Sequence, residues 1–463
     1  MHLPRLASFA LLALAPAALF AGNPLINTVQ SADPSAHVWP GDERLWVYAS
    51  HDEPGTNTHD TMRSYHVFSS TDLVNWTDYG IVFHQNGAPW AAGNMWAIDC
   101  VKRGDTYYIV YCAIDRQDGN FHTALATSKL PQGPFRDLGK IEGTAGGQDP
   151  SVFIDHDDQP YLYWGGGNKI FAAKLTPDLR AVVPDSKVEL TSQLKWCYEG
   201  PWVHTYNGKY YLTYPGLFEK KWPERMYYAT ADGPLGPYTY RGEYIPLFKH
   251  SAGTNHGSVV EYKGRWIAFH HGDELSGGNG VSRNLMADWL HYEADGSIRP
   301  IVPTAEGVAV GVPPGPSRVT LHLEAENGPA SLGTLVGTGV ATEKPGFTGE
   351  GYVTPFRGPF SGVTVIAQSA MARRARLFIR YSAEADQRNK LMVNYTTYDD
   401  PQSPEPGRFE RFLSFPSTGG AWAEKDVGVI QLQPGDNPIR LYRSPSTGTG
   451  GLLVDHFRLA PVE

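Results

Sequence analysis

The amino-acid sequence predicts an all-β chain: a five-bladed β-propeller followed by a β-sandwich (jelly-roll) domain. Three observations lead there. Gly (50) and Pro (36) are abundant and aromatics reach 12% of 463 residues, a profile of short strands joined by tight turns rather than of helical bundles. Five segments repeat one plan, in which a carboxylate or histidine at a strand entrance leads into a hairpin with an aromatic second strand. The last part of the chain, about 140 residues, alternates short strands without helical periodicity.

Taken in order, residues 1–22 read as a secretory signal. His2 and Arg5 precede an apolar run over 6–20, and small residues close it. A secreted or periplasmic location is therefore expected. The run is short and broken by Pro16, and no later stretch is long and apolar enough to span a bilayer, so no membrane partner is expected.

Residues 23–305 carry the five units. They start at Ala32-Asp-Pro-Ser35, Met95-Trp-Ala-Ile-Asp99, Gln148-Asp-Pro-Ser151, Tyr198-Glu-Gly-Pro201 and Thr254-Asn-His-Gly257. Their second strands are 45–52, 106–111, 160–165, 209–214 and 265–270. The entrance residues Asp33, Asp99, Asp149, Glu199 and His256 recur at about 50–66 residues, which suits a four-stranded blade with variable loops. The innermost strands of a closed ring run the same way along its channel. Their entrances therefore crowd around one mouth.

After residue 303 the composition shifts. Residues 306–318 are rich in Gly, Pro and Val and read as a linker. Residues 319–463 form the second domain, with strands expected at 375–381, 390–395, 437–442 and 452–459.

The net charge is −9, with both signs interspersed and no basic stripe, which excludes a nucleic-acid partner. A monomer is expected. Of the three cysteines, Cys100 and Cys112 fall on one predicted hairpin. Either they pair or all three are simply buried; no Cys/His spacing suits zinc.

The chemistry follows from the ring. Three carboxylates at one mouth, Asp33, Asp149 and Glu199, cannot all be ordinary ions, because like charges drive at least one pKa upward. Glu199 stands between aromatic residues and a Gly-Pro turn, a poorly solvated setting that favours the protonated form a general acid needs. A protonated and an ionised carboxyl together are what glycoside hydrolysis requires; in the inverting mode they stand roughly 6.5–9.5 Å apart, leaving room for water. Trp96, Trp202 and Phe269 are candidate stacking faces for a sugar ring.

These five entrance motifs together resemble glycoside hydrolase family 43 over residues 23 to 305. The resemblance implies a five-bladed propeller hydrolysing arabinosides and xylosides with inversion. It implies Asp33 as general base, Asp149 as the residue that orients the acid and modulates its pKa, and Glu199 as general acid. His256 resembles a histidine at the channel centre, beside a calcium or sodium ion. Arg283 resembles an arginine that reaches the pocket to bond a sugar hydroxyl or Asp33. One departure stands out: the family's Trp-Ala-Pro-Asp is here Trp96-Ala-Ile98-Asp99.

The second domain resembles a family 6 carbohydrate-binding module. That resemblance implies a structural calcium on Glu324, Glu326 and Asp455, and matches Trp422 to one aromatic face of a sugar cleft. The second aromatic is missing, and Leu453 falls where an Asn is expected. The reading that results is an exported, inverting, exo-acting α-L-arabinofuranosidase releasing arabinose from arabinoxylan or from arabino- and xylo-oligosaccharides. It needs no catalytic cofactor, and its partner is a plant cell-wall glycan. The alternatives are an exo-β-1,4-xylosidase with the same carboxylates and a sugar-binding propeller without catalysis.

Overall fold

The computed structural model describes residues 22–462 except 314, 316, 328–332, 395–407 and 447–449. Residues 1–21 of the predicted leader (1–22), and Tyr395 at the end of one predicted strand, lie outside the described residues. Among the described residues the chain is all-β; its helical elements are four one-turn 3-10 helices.

Five consecutive antiparallel sheets make up the first part. The first holds Ser31–Val38, Leu45–His51, Ser64–Ser70 and Trp76–His84. The second holds Ile98–Arg103, Thr106–Asp115, Phe121–Ser128 and Arg136–Lys140, with Ala91–Gly93 added to Thr106–Asp115. The third holds Ser151–Ile154, Pro160–Trp164, Phe171–Lys174 and Val188–Glu189. The fourth holds Trp202–Tyr206, Lys209–Gly216, Arg225–Ala231 and Thr239–Ile245. The fifth holds Ser258–Tyr262, Arg265–Gly272 and Asn284–Leu290.

The first strands of these sheets touch in cyclic order. Ser31–Val38 meets both Ile98–Arg103 and Ser258–Tyr262, so the sheets close into a ring. The second strands are flanked by neighbouring sheets on both faces. This is why Leu45–His51 and Pro160–Trp164 read as continuous rather than alternating apolar runs, and both are buried along their whole length.

The fifth sheet has three strands, and the start of the chain completes its edge. Leu25 N–H donates to Leu285 O (2.9 Å) and Ser31 N–H to Arg283 O (3.0 Å). The Asn23 amide accepts from Ala287 N–H (3.0 Å) and donates to Ala287 O (3.2 Å). Residues 23–31 thus sew the first sheet to the last.

Asp99 is a cross-link of the ring. Its fully buried carboxylate accepts from Ser35 Oγ (2.5 Å), His37 Nε2 (2.8 Å), Cys100 N–H (2.6 Å) and Val152 N–H (2.6 Å), joining the first three sheets. The hairpin at this point pairs Cys100 with Ile109, not with Cys112. All three cysteines are buried and free.

The second part has two sheets around one core. Leu323, Leu377, Ile379 and Phe457 come from one, and Val365, Leu391, Ile439 and Leu441 from the other. The segment expected as a linker is not a loose tether. Val308 packs with Leu25 and Ile26, and the strand Val319–Glu324 runs parallel to Trp76–His84, with Val319 opposite Trp76. One continuous sheet therefore crosses from the ring into the second part. His66 Nε2 with Gln368 Oε1 (2.6 Å) and Ala370 N–H with Thr28 O (2.6 Å) add to the seam.

Candidate active site

A cavity of about 300 Å3 opens where the first strands begin. Asp33, Trp96, Asp149, Glu199, His256 and Arg283 line it, from all five units. Two predicted faces do not reach it. Trp202 is buried, its indole N–H donating to Val259 O (3.3 Å) across the seam between the fourth and fifth sheets. Phe269 is fully buried in the core between the first and fifth sheets, because its position on the second strand faces the neighbouring sheet.

Local backbone form aims the carboxylates. Pairing of the first two strands jumps from Ala32–Ser50 to Ser35–Tyr48, so Asp33 and Pro34 bulge out of the ladder. Asp33 (φ 54°) and Asp149 (φ 48°) both adopt the left-handed region, which non-glycine residues enter rarely and often at functional sites. Gly200 (φ 55°) follows Glu199. A Cβ there would lie 2.9 Å from the Pro215 ring and 3.0 Å from His256 Nδ1, so both the turn and the space demand glycine.

The three carboxyls have different surroundings. Asp33 Oδ1 accepts from Arg283 Nη1 (3.0 Å), and the Ser50 hydroxyl donates to Oδ2. Burial would raise its pKa, but Arg283 foremost, then His271, His256 and Ser50, hold it well below the usual carboxylate range. Arg283 is itself fixed by Asp52, through Nε–Oδ2 (3.0 Å) and Nη2–Oδ1 (2.8 Å), and by Thr254 Oγ1 (3.2 Å). His271 accepts the Asp33 N–H at Nδ1 (3.2 Å) and donates from Nε2 to Thr254 O (2.9 Å). That pattern is a neutral imidazole, and burial lowers its pKa accordingly.

Asp149 and Glu199 go the other way. Burial, then Glu199 and Asp33, push Asp149 well above its ordinary value. Burial, then Glu224 and Asp33, do the same to Glu199. The Gln148 amide bridges the two, 2.9 Å from Glu199 Oε2 and 3.5 Å from Asp149 Oδ2. A carboxyl held toward its ionised form and two held toward their protonated forms thus line a single cavity, the inequality that hydrolysis of an acetal bond requires.

Sequence reasoning missed several neighbours. Gln148 and Tyr198 directly precede two of the carboxylates and were visible in the motifs. Trp222 and Glu224 come from the turn between the second and third strands of the fourth sheet, where no periodicity marks them. Trp222 is 53% exposed and stands edge-on to Tyr198 (5.2 Å), both lining the cavity. Trp96 rests on Phe121 (4.7 Å) and is tied to His59 O (3.1 Å).

The two cation sites implied by resemblance differ in fit. His256 is buried, and burial lowers its pKa. Among the described residues it belongs to no cluster of three His, Cys, Asp or Glu donors. One imidazole is a poor match for calcium, which takes roughly six to eight oxygens, so the residues present do not fit a channel ion. In the second part, Glu324 Oε2 and Asp455 Oδ1 accept from Thr348 Oγ1 (2.7 Å) and Thr348 N–H (2.9 Å). Glu326 Oε2 beside them is buried without a partner, and burial, then Glu324, push that carboxyl up to about 9. A divalent cation would satisfy that orphaned oxygen, but among the described residues Glu324, Glu326 and Asp455 do not together form a cluster of three donors within reach of one ion, and Asp455 is paired with Arg380. Trp422 is half-buried: Lys344 and Arg380 lie over its ring (5.6 and 5.2 Å) and Tyr352 stands edge-on to it.

Comparison with known proteins decides the family. The model of Glycosyl hydrolases family 43 matches residues 21–298. The chain belongs to this family. It is a glycosidase of the xylosidase and arabinofuranosidase class. This family 43 enzyme is 34% identical to Xylosidase/arabinosidase 43A of Humicola insolens, over 59% of its own length and 98% of that protein. It is 29% identical to the Arabinoxylan arabinofuranohydrolase of Bacillus subtilis (strain 168), over 93% of its own length and 90% of the relative's. Among solved structures it resembles a family 43 beta-xylosidase/alpha-arabinofuranosidase from a compost microbial metagenome, with TM-score 0.56 and 30% identity over 61% of this chain and 98% of that one.

Proposed function

We propose that this enzyme is an inverting, exo-acting α-L-arabinofuranosidase that releases arabinose from arabinoxylan or its oligosaccharides. The observation that carries the reading is the cavity in which Arg283-held Asp33 and proton-bearing Glu199 face one another. Glu199 donates its proton to the glycosidic oxygen as the bond to the anomeric carbon breaks. Asp33 takes a proton from the water that attacks the opposite face. Asp149 orients Glu199 through the Gln148 amide they share, while burial, then Glu224 and Asp33, keep the pKa of Glu199 high. Afterwards Glu199 is left ionised and Asp33 protonated, and exchange with solvent restores both.

Arabinosides are favoured over xylosides because the Bacillus subtilis relative matches 93% of the chain, and so both of its parts, whereas the Humicola insolens relative matches 59% of it. A β-xylosidase is the second reading, supported by the double naming of that relative. In the same reading the five sheets are a five-bladed β-propeller over 23–305. The second part is a β-sandwich akin to family 6 carbohydrate-binding modules, with Glu324, Glu326 and Asp455 holding calcium. Joined to the ring by a continuous sheet, and lacking the second aromatic of a sugar cleft, that module braces the ring rather than gripping sugar. The leader over 1–22 sends the protein to the periplasm or outside the cell, where a monomer meets plant cell-wall glycan.

The test is hydrolysis of nitrophenyl α-L-arabinofuranoside, nitrophenyl β-xyloside and arabinoxylan by purified protein, with products read by chromatography and NMR. Arabinose released first as the inverted anomer supports the reading. Faster release of xylose overturns it in favour of the β-xylosidase.

A further inference from the structure

A fourth carboxyl lies behind the general acid. Glu224 is fully buried, yet the ring's chemistry leaves it without a task. Its Oε2 accepts the Asn255 N–H (2.7 Å), and its own N–H donates to Gly253 O (3.1 Å). These two bonds clamp the segment 253–255 from both sides. Its other oxygen, Oε1, is buried with no partner. An unpartnered buried oxygen is costly and is retained where it serves a purpose.

The clamped segment is the one that holds the base. Thr254 accepts from Arg283 through Oγ1 and from His271 through its carbonyl, and these two side chains flank Asp33. On the other side, the turn carrying Glu224 also carries Trp222, which packs against Tyr198 next to Glu199. Glu224 therefore stands between the supports of the acid and those of the base.

We propose that Glu224 is a positioning residue of the hydrolytic reaction, tied to both catalytic groups: its carboxyl locks the 253–255 segment that holds Arg283 and His271, and it stands within electrostatic reach of Glu199. The inference rests on the assignment of Glu199 as the acid. Burial foremost, then Asp149 and Asp33, push Glu224 well above its ordinary value against the Asn255 N–H and Arg283, and Glu224 acts in turn on Glu199 and Tyr198. Two buried carboxyls so coupled share their protons, and removing one lets the other ionise more easily.

The experiment compares pH profiles of kcat/KM on an arabinoxylan oligosaccharide, whose departing group needs the proton of the acid, for wild type, Glu224→Gln, Glu224→Ala and Glu199→Gln. Glutamine keeps an oxygen for the Asn255 N–H but cannot ionise. Its basic limb is expected to move down by about one pH unit, with a Tm near that of wild type. Alanine also frees the segment, and kcat is expected to fall about 10- to 100-fold with KM little changed. If the basic limb of the folded glutamine variant coincides with that of wild type, the inference is overturned. If Glu199→Gln itself keeps full activity on substrates with poor leaving groups, the assignment of the acid fails instead.

Discussion

The chain gathers three carboxyls twice, and the two clusters are built alike. At the ring mouth Asp33 is paired with Arg283 while Asp149 and Glu199 are pushed upward. In the second part, burial opposes ionisation of Asp455, but His456, Thr348 and Arg380 hold its pKa below the ordinary value, while Glu326 is pushed up to about 9. What differs is the space in front of them. The ring mouth opens on a cavity with Trp96, Tyr198 and Trp222 at its rim, a site for a sugar. At the second cluster the 348–351 backbone fills the gap: a Cβ on Gly349 would lie 2.2 Å from Glu326 Oε1, and the N–H groups of Thr348, Glu350 and Gly351 point at the carboxyls. Perturbed carboxyls alone do not mark an active site: at the second cluster Glu326 borders a cavity, but backbone N–H groups already occupy its Oε1 and Asp455 Oδ1.

The comparison breaks first at Asp33. Asp33→Asn should lower kcat/KM roughly 100- to 10,000-fold with little change in fold, whereas Asp455→Asn should leave kcat/KM within experimental error and act on stability. Equal losses of activity would erase the distinction between the clusters.

Arg283 is the next place to strike. Replacing it with Met leaves Asp33 and Asp52 buried without their cation. Stability should drop by about 3–5 kcal/mol in denaturant unfolding, with activity falling alongside. Arg380 is more exposed, and its loss should cost far less.

The pH dependence of stability sharpens the contrast. Glu326 has a raised folded-state pKa, so its stabilising protonated form is complete below the ordinary Glu value of 4.5 and is lost as pH rises through about 9. Metal-free protein should therefore lose Tm between these limits. Millimolar calcium should restore it by ~2–5 °C at pH 8, and Glu326→Gln should abolish both effects. The smallest change is expected at the rim: Trp222→Ala should raise KM for arabinoxylan about tenfold and leave Tm unchanged, since the ring is more than half exposed.

Much of this was legible before any coordinates. Second strands were placed almost to the residue: 106–111 was expected and Thr106–Asp115 is found; 209–214 was expected and Lys209–Gly216 is found. Doubly buried aromatic runs between Gly-rich turns are hard to mistake. The carboxylates at strand entrances were equally plain, because the repeat placed them in register. Trp202 and Phe269 were misjudged because an aromatic residue near a strand entrance looks the same whether it faces a channel or a neighbouring sheet. Glu224 and Trp222 went unseen because a turn has no period. The packing of Val308 and Ala309 was hidden by the Gly and Pro content around them, which speaks of turns and says nothing of what Val308 touches.

The division of labour at the ring mouth is tested most directly by leaving-group dependence in Glu199→Gln. An activated aryl arabinofuranoside departs without a proton, while arabinoxylan cannot. The variant should lose nearly all activity on arabinoxylan and keep most of it on the activated aryl glycoside, and Asp33→Asn should lose both. Equal loss on the two substrates in Glu199→Gln would contradict the assignment of the acid.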